Sequence, residues 1–128
     1  MEWLVTIHSV WRYVVLVVAL GAIILSLLAY LGTREWDNLA ERFSFFFPIT
    51  MDIQVVVGIL VWLLANYDQN DAFRRWIHPV AMLVAVGLAH MGRVRSDRAA
   101  GSKAKGGTAA LFFGASLLVV LLAIPYKG

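Results

Sequence analysis

Four long apolar runs, separated by short polar segments, form the main pattern of the chain. The first, residues 13–31, has 19 residues and no charged side chain. Runs of this length approach the roughly 20 residues that a helix needs to cross the hydrocarbon core of a bilayer. The pattern therefore predicts an all-α protein, a bundle of four transmembrane helices running up, down, up and down. The expected spans are residues 5–31, 44–65, 76–94 and 108–125.

The polar segments predict the loops, at residues 33–42, 66–75 and 96–107. Pro48 lies near the expected start of the second span, and Pro79 lies in the first turn of the third, where proline is tolerated. A cleaved signal peptide is disfavoured because Glu2 precedes the first run, which is too long and has Arg12 at its beginning. We expect one integral membrane domain.

The composition agrees with a membrane protein. The 128 residues are 61% hydrophobic and 15% charged, with a mean hydropathy of +0.77. Soluble domains are about 45–50% apolar and roughly a quarter charged. The chain has no cysteine, which excludes thiolate catalysis, iron–sulfur clusters and cysteine-ligated zinc. Four spans with short loops leave no room for a soluble catalytic domain, so an electron carrier or a subunit is expected rather than an independent enzyme.

Basic residues are concentrated in two of the polar segments. Seven of the eleven lie in residues 33–42 and 93–107: Arg34, Arg42, Arg93, Arg95, Arg98, Lys103 and Lys105. The other side carries four: Arg12, Arg74, Arg75 and Lys127. The positive-inside rule then predicts that the two basic loops are cytoplasmic and that both termini are outside. Anionic lipid, not nucleic acid, is the expected partner of this charge.

The three histidines are the first candidates for function, because ionisable groups inside a membrane are costly. His8 and His78 lie at the outer ends of the first and third helices, which run in the same direction, so they should reach a similar depth. His90 lies roughly 18 Å deeper than His78 and about 120° around the helix, which excludes a three-histidine site. The pair either bonds to loop carbonyls in a packed bundle or ligates a haem b iron.

Small residues follow each histidine along its helix face. On the first helix the stacked positions are Val15, Ala19, Ala22 and Ser26, and on the third they are Met82, Ala85, Ala89 and Gly92. Such residues allow close helix packing and equally leave space for a flat macrocycle. Arg12 on the His8 face, and Arg74 and Arg75 before His78, could neutralise haem propionates or reach lipid headgroups. Met82 is a further potential ligand, although packing is the commoner role.

A second polar cluster is expected nearer the cytoplasmic side. Asp52 and Gln54 in the second helix and His90 and Arg93 in the antiparallel third helix should lie at one depth. A carboxylate there should be protonated or paired with Arg93. The cluster is either a structural lock between helices or a site for a quinone headgroup or proton uptake.

Short motifs along most of the chain are similar to those of a known group of proteins. They are His8-Ser9-x-x-Arg12-Tyr13, Asp52-x-Gln54-x-x-x-Gly58, His78-Pro79-x-x-Met82, His90-x-Gly92-Arg93 and Ile124-Pro125-Tyr126. This set resembles small bacterial four-helix membrane proteins that are labelled cytochrome b or have no assigned role. The resemblance implies a compact bundle and haem b ligated by His8 and His78. Related bundles of the cytochrome b561 type hold two haems with four histidines, so the three histidines here exclude a second bis-histidine haem.

Two functions from different classes follow. The first is one-electron transfer through a single haem b near the outer face, with Arg12 beside a propionate and quinone as a potential redox partner. The second is a cofactor-free accessory subunit of a larger respiratory or photosynthetic complex. A transporter or channel is disfavoured because the chain has neither an internal repeat nor a broken midplane helix.

Overall fold

The computed structural model describes residues 2–64 and 71–124, apart from the side chain of Arg74. This part of the chain forms four long helices, which are α1 (Glu2–Leu31), α2 (Asn38–Leu64), α3 (His78–Arg98) and α4 (Ser102–Ala123). Each helix packs against the next one in the chain, and α4 closes the ring against α1. The predicted all-α four-helix bundle is therefore confirmed.

All four helices are long and apolar enough to cross a membrane, the third counted as Arg75–Arg98. Their outward faces carry large apolar side chains, such as Leu111 and Leu122, which are 67% and 72% exposed. A bundle that is apolar on the outside as well as the inside is typical of a protein embedded in lipid. The fold and surface thus agree with a multi-pass membrane protein.

The bundle has two ends with different chemistry. We call the end where α1 and α3 begin the histidine end, because His8 and His78 lie there. We call the opposite end, where α2 and α4 begin, the basic end. It carries the seven basic residues of the segments 33–42 and 93–107.

The second helix begins at Asn38, six residues before the predicted span at 44. Asp37 is its N-cap, since Asp37 Oδ1 accepts a hydrogen bond from the Ala40 N–H at 3.0 Å. The Ala40 N–H and the Arg34 guanidinium hold the pKa of Asp37 below its usual value. Pro48 is consequently buried well inside α2, and its expected position near the start of the helix is wrong.

The predicted loop at residues 96–107 is also mostly helical. The third helix continues to Arg98 and α4 begins at Ser102, so three residues separate them. Gly101 makes this tight turn with a φ of 89°, a conformation that glycine adopts without strain. Gly106 packs directly on the backbone of α1 at Ser26. This packing outweighs the weak helix propensity of glycine that favoured a loop.

The core lies along the two small-residue faces predicted from the sequence. All eight of those positions are buried, from Val15 and Ala19 on α1, at 2% and 0% exposed, to Met82 on α3, at 9%. Phe47 of α2 and Phe113 of α4 fill the space between them, with ring centres 5.1 Å apart and planes at 81°. The edge-to-face contact is a favourable aromatic geometry. The core continues toward the histidine end through Val120 and Ala123 of α4, each 3% exposed.

Candidate functional site

The parallel helices α1 and α3 bring His8 and His78 together at the histidine end. Their ring centres are 6.3 Å apart, and the ring planes are at 80°. The two helices do not neighbour each other in the ring of four, so the imidazoles face one another across the middle of the bundle. The expectation that the two histidines reach the same depth is thus met in the structure.

The position of His78 depends on the turn that precedes α3. Residues Phe73–Ile77 form a π-helical turn, closed by a hydrogen bond from the His78 N–H to the Phe73 carbonyl. The indole Nε1 of Trp62 donates to the Arg75 carbonyl at 2.7 Å and ties this turn to α2. Such wide turns inside or beside α-helices are frequent at functional sites.

The protonation pattern of His78 follows from its partner. His78 Nδ1 lies 2.8 Å from the Ala123 carbonyl oxygen of α4. A carbonyl can only accept a hydrogen bond, so Nδ1 carries the proton and Nε2 of the neutral ring carries the lone pair. A backbone carbonyl in this role is a common way to orient a histidine whose other nitrogen binds a metal.

His8 is held by α2 through Gln54 and Gly58. Gln54 Nε2 donates to the His8 carbonyl at 2.9 Å. A Cβ at Gly58 would lie 3.0 Å from His8 Cε1, so the absence of a side chain makes room for the ring. Two buried side-chain atoms among the described residues have no hydrogen-bond partner, and they are His8 Nδ1 and Gln54 Oε1. His8 Nδ1 can donate a hydrogen bond when it carries a proton, and Gln54 Oε1 can accept one, so the two atoms are complementary.

A cavity of about 530 Å³ adjoins both imidazoles. This volume falls within the range of small-molecule and cofactor sites, roughly 300–1,000 Å³. All four helices contribute to its walls, which are mostly apolar. Its lining includes His8, Arg12, Val15, Gln54, Gly58, Trp62, Arg75, Trp76, His78, Met82, Leu83, Val120 and Ile124.

Two of the three expected cations border this cavity. Arg12 lies along its wall with the guanidinium 5.3 Å from the Tyr13 ring centre, and Arg75 lies over Trp76 at 5.8 Å. Both are only partly exposed. The side chain of Arg74 lies outside the described residues. The cavity therefore has positive charge on its wall but no carboxylate among its described lining residues.

The second predicted cluster divides into separate groups. Asp52 Oδ1 accepts from His90 Nε2 at 2.7 Å, with both side chains about half exposed. Gln54 lies instead beside His8 and is 5% exposed. Residues two apart on a helix point to nearly opposite faces, which explains why Asp52 faces outward while Gln54 faces the interior.

Arg93 does not pair with Asp52, and that expectation is wrong. Its guanidinium bonds to Glu41 at 2.6 Å and to Asp97 at 3.2 Å, and it reaches Ser44 Oγ at 3.4 Å. Arg93 is about one turn nearer the basic end than His90, and antiparallel α2 presents Ser44 and Glu41 there. Glu41 was missed as a partner because the sequence placed it in a loop.

The sequence also missed the supporting role of two positions at the histidine end. Gly58 appeared only as part of a motif, and the Ala123 carbonyl gave no signal at all. The spacing from Gln54 to Gly58, four residues on one helix face, is the one pattern that could have placed both beside the same neighbour. A backbone carbonyl has no residue-type signature, so its contact with His78 needs the tertiary structure.

No family model, curated protein or solved structure matches the chain.

Proposed function

We propose that the chain is a small membrane cytochrome of the b type that binds one haem b between His8 and His78. The observation that carries this proposal is the placement of two imidazoles from separate helices, 6.3 Å apart, beside a cavity with apolar walls. The two rings come from helices that are not neighbours in the bundle, so one cofactor could contact both imidazoles.

The donor set fits a haem iron. His8 and His78 would hold the haem through their imidazoles, which are common protein ligands of haem iron. His78 has its Nδ1 proton committed to Ala123, which leaves Nε2 as a ligand atom. The unpartnered His8 Nδ1 and Gln54 Oε1 fit a hydrogen bond that would fix the His8 ring in the same tautomer.

The other residues of the cavity have complementary roles in this proposal. Arg12 and Arg75 would neutralise the two propionates, and the apolar walls would exclude water from the macrocycle. A haem bound there supplies one-electron oxidation and reduction at its iron, at a potential set by its ligands, by burial and by nearby charge. The positive charge of Arg12 and Arg75 would offset the negative charge of the propionates, and would so favour the reduced form relative to unpaired propionates.

The direction of insertion completes the proposal. The seven basic residues of the basic end favour a cytoplasmic location for that end, in a bacterial inner membrane, with both termini outside. The haem would then lie near the outer face, where it could exchange electrons with a quinone in the membrane.

A second role is compatible with the first. The half-exposed Asp52–His90 pair lies on the outward surface of helices that are otherwise apolar there. Ionisable groups facing lipid are costly, which favours cover by another protein or by a polar headgroup. The chain would then be a subunit of a larger bioenergetic complex, with or without a haem of its own.

The absorbance spectrum of the purified protein tests the cytochrome proposal. We expect the protein, isolated in detergent and supplied with haem b, to show the oxidised and reduced spectra of a six-coordinate bis-histidine haem. His8→Ala and His78→Ala should each lose this spectrum, whereas the matched variant His90→Ala should keep it. Absence of bound haem, or spectra unchanged in both His8→Ala and His78→Ala, would overturn the proposal. A cofactor-free protein that co-purifies in fixed ratio with a larger complex would support the subunit role alone.

A further inference from the structure

The seven basic residues of the basic end differ in what their side chains contact. Arg34 bonds to Asp37 at 2.7 Å, and Arg93 bonds to Glu41 and Asp97. Lys105 Nζ donates to the Ser96 and Asp97 carbonyls at 3.1 and 3.3 Å. Lys103 lies over the Tyr30 ring at 5.7 Å. Most of this charge is therefore engaged within the protein.

Arg95 and Arg98 are placed differently. Both are exposed, and neither is paired with a carboxylate within residues 2–64 and 71–124. The Arg95 guanidinium lies 5.5 Å from the centre of the Phe112 ring, which holds it against α4. Arg42 is also exposed, but it lies on α2 and does not share their surroundings.

The two arginines border an open groove of about 800 Å³ between α3 and α4. Apolar side chains form most of its walls, and the Thr108 hydroxyl lies among them close to the start of α4. The lining residues are His90, Met91, Val94, Arg95, Arg98, Ala99, Thr108, Leu111 and Phe112. The groove thus combines two arginines with apolar walls.

The direction of the groove indicates what can reach it. Arg95 and Arg98 lie in the last turn of α3, at the level where headgroups border a spanning helix. Leu111 lies nine residues into α4, roughly 14 Å from the start of that helix, and next to Phe112, whose ring contacts Arg95. A water-soluble anion would meet the arginines but not the apolar walls, which border lipid. A molecule with an anionic head and a hydrocarbon tail matches both parts.

We propose that this groove binds an anionic phospholipid, with the phosphate at Arg95 and Arg98 and an acyl chain along the apolar walls. The paired guanidinium groups are suited to phosphate because each offers several N–H donors in one plane. Basic pockets between transmembrane helices on the cytoplasmic side are established sites for anionic lipid headgroups. The site is independent of the haem proposal, because it lies at the other end of the bundle.

Native mass spectrometry of the detergent-purified protein tests this site. We expect phosphatidylglycerol to bind with defined stoichiometry and phosphatidylcholine of the same acyl chains to bind much more weakly. The double variant Arg95→Gln/Arg98→Gln should reduce phosphatidylglycerol affinity roughly thirty-fold, at about 1 kcal/mol per arginine. The matched variant Arg42→Gln, which removes an exposed arginine at the same end, should change it less than about three-fold.

A second variant tests the acyl-chain part. Leu111→Arg places a charge on the exposed apolar wall and keeps both arginines, and it should also weaken phosphatidylglycerol binding. The proposal would be overturned if the double variant bound phosphatidylglycerol as tightly as the wild type does. It would also be overturned if Arg42→Gln lost as much affinity as the double variant. So would displacement of the lipid by millimolar inorganic phosphate, since that outcome would show a site for free phosphate. Circular dichroism in the same detergent confirms that each variant is folded.

Discussion

The two halves of the bundle use the same small-residue faces of α1 and α3 for opposite purposes. In the packed half, near the basic end, Phe47 and Phe113 from the intervening helices fill the space beside Ala19 and Ala89. In the cavity half, near the histidine end, α2 presents Gly58 to the centre, and about 530 Å³ remain open. A face of small residues therefore leaves room, and the facing helices decide whether that room is filled.

The polar atoms divide in the same way. Away from the cavity, the Ser26 hydroxyl donates to the Ala22 carbonyl at 2.6 Å and the Ser116 hydroxyl donates to the Ala85 carbonyl at 2.7 Å. In the cavity half, His8 Nδ1 and Gln54 Oε1 have no partner among the described residues. Buried polar atoms without partners are costly, and they tend to occur where a ligand is bound. The two unpartnered polar atoms therefore lie beside the cavity, whereas these two serine hydroxyls are satisfied by backbone carbonyls.

The largest expected effect on stability is in the packed half, at Gly106. A Cβ there would meet the Ser26 carbonyl oxygen and the Tyr30 backbone nitrogen, and backbone atoms cannot rotate away. Gly106→Ala should lower the free energy of unfolding by about 3 kcal/mol, as overpacking does in other cores. Gly114→Ala on the same helix meets nothing within 4 Å, so it should be neutral or slightly stabilising.

Thermal unfolding of both glycine variants in detergent, followed by circular dichroism, gives the comparison. Equal midpoints for Gly106→Ala and Gly114→Ala would show that α4 does not pack on α1 as closely as described.

A smaller effect, confined to binding, is expected in the cavity half at Gly58. An added Cβ would lie 3.0 Å from His8 Cε1, and an imidazole can shift by a few tenths of an ångström. Gly58→Ala should therefore unfold like the wild type but bind haem about tenfold more weakly, the size typical of disturbed ligand support. Haem titration and the redox midpoint measure this change. Gly87→Ala, which meets nothing within 4 Å, is the control, and identical affinities would argue against His8 as a ligand.

The smallest effect is expected at the N-cap of α2, in the exposed loop beside the packed half. Because folding lowers the pKa of Asp37, its charged form stabilises the folded state above the unfolded pKa. That contribution is lost as the pH falls below the unfolded pKa of about 4 and through the lower folded pKa. Asp37→Asn keeps an N-cap acceptor without the charge, so its thermal midpoint should fall less than that of the wild type over this range. Parallel pH profiles would contradict this assignment.

Much of the fold could be predicted because apolar length and helical spacing are local properties of the chain. The number of helices, their order and the buried faces through Ala19 and Ala85 all follow from residue type and the 3.6-residue period. The ends of the helices could not be predicted in this way, because Asn38 and Ser102 begin helices in segments that are polar or rich in glycine. A polar segment at the membrane surface can be helical. The N-cap at Asp37 fixes the start of α2, and the contacts of Gly106 with α1 keep the first turns of α4 helical.

The candidate site was predicted in part for a similar reason. Parallel helices place His8 and His78 at one depth, which requires only their sequence positions and the alternating directions of the spans. The partners of Arg93 and Gln54 could not be obtained in this way. These contacts depend on how each helix is rotated about its own axis. Two positions along a helix are enough to move a side chain from the interior of the bundle to its outer surface.

The amino-acid sequence alone predicts four helices that are long and apolar enough to cross a membrane, with two histidines at one level and most of the positive charge at the other end. These properties depend on length, period and composition, which need no knowledge of contacts. The tertiary structure decided that the histidines lie beside a cavity and that Arg95 and Arg98, among seven cations, border a groove. The reason is physical, because open space and unpaired charge result from what neighbouring helices present to one another.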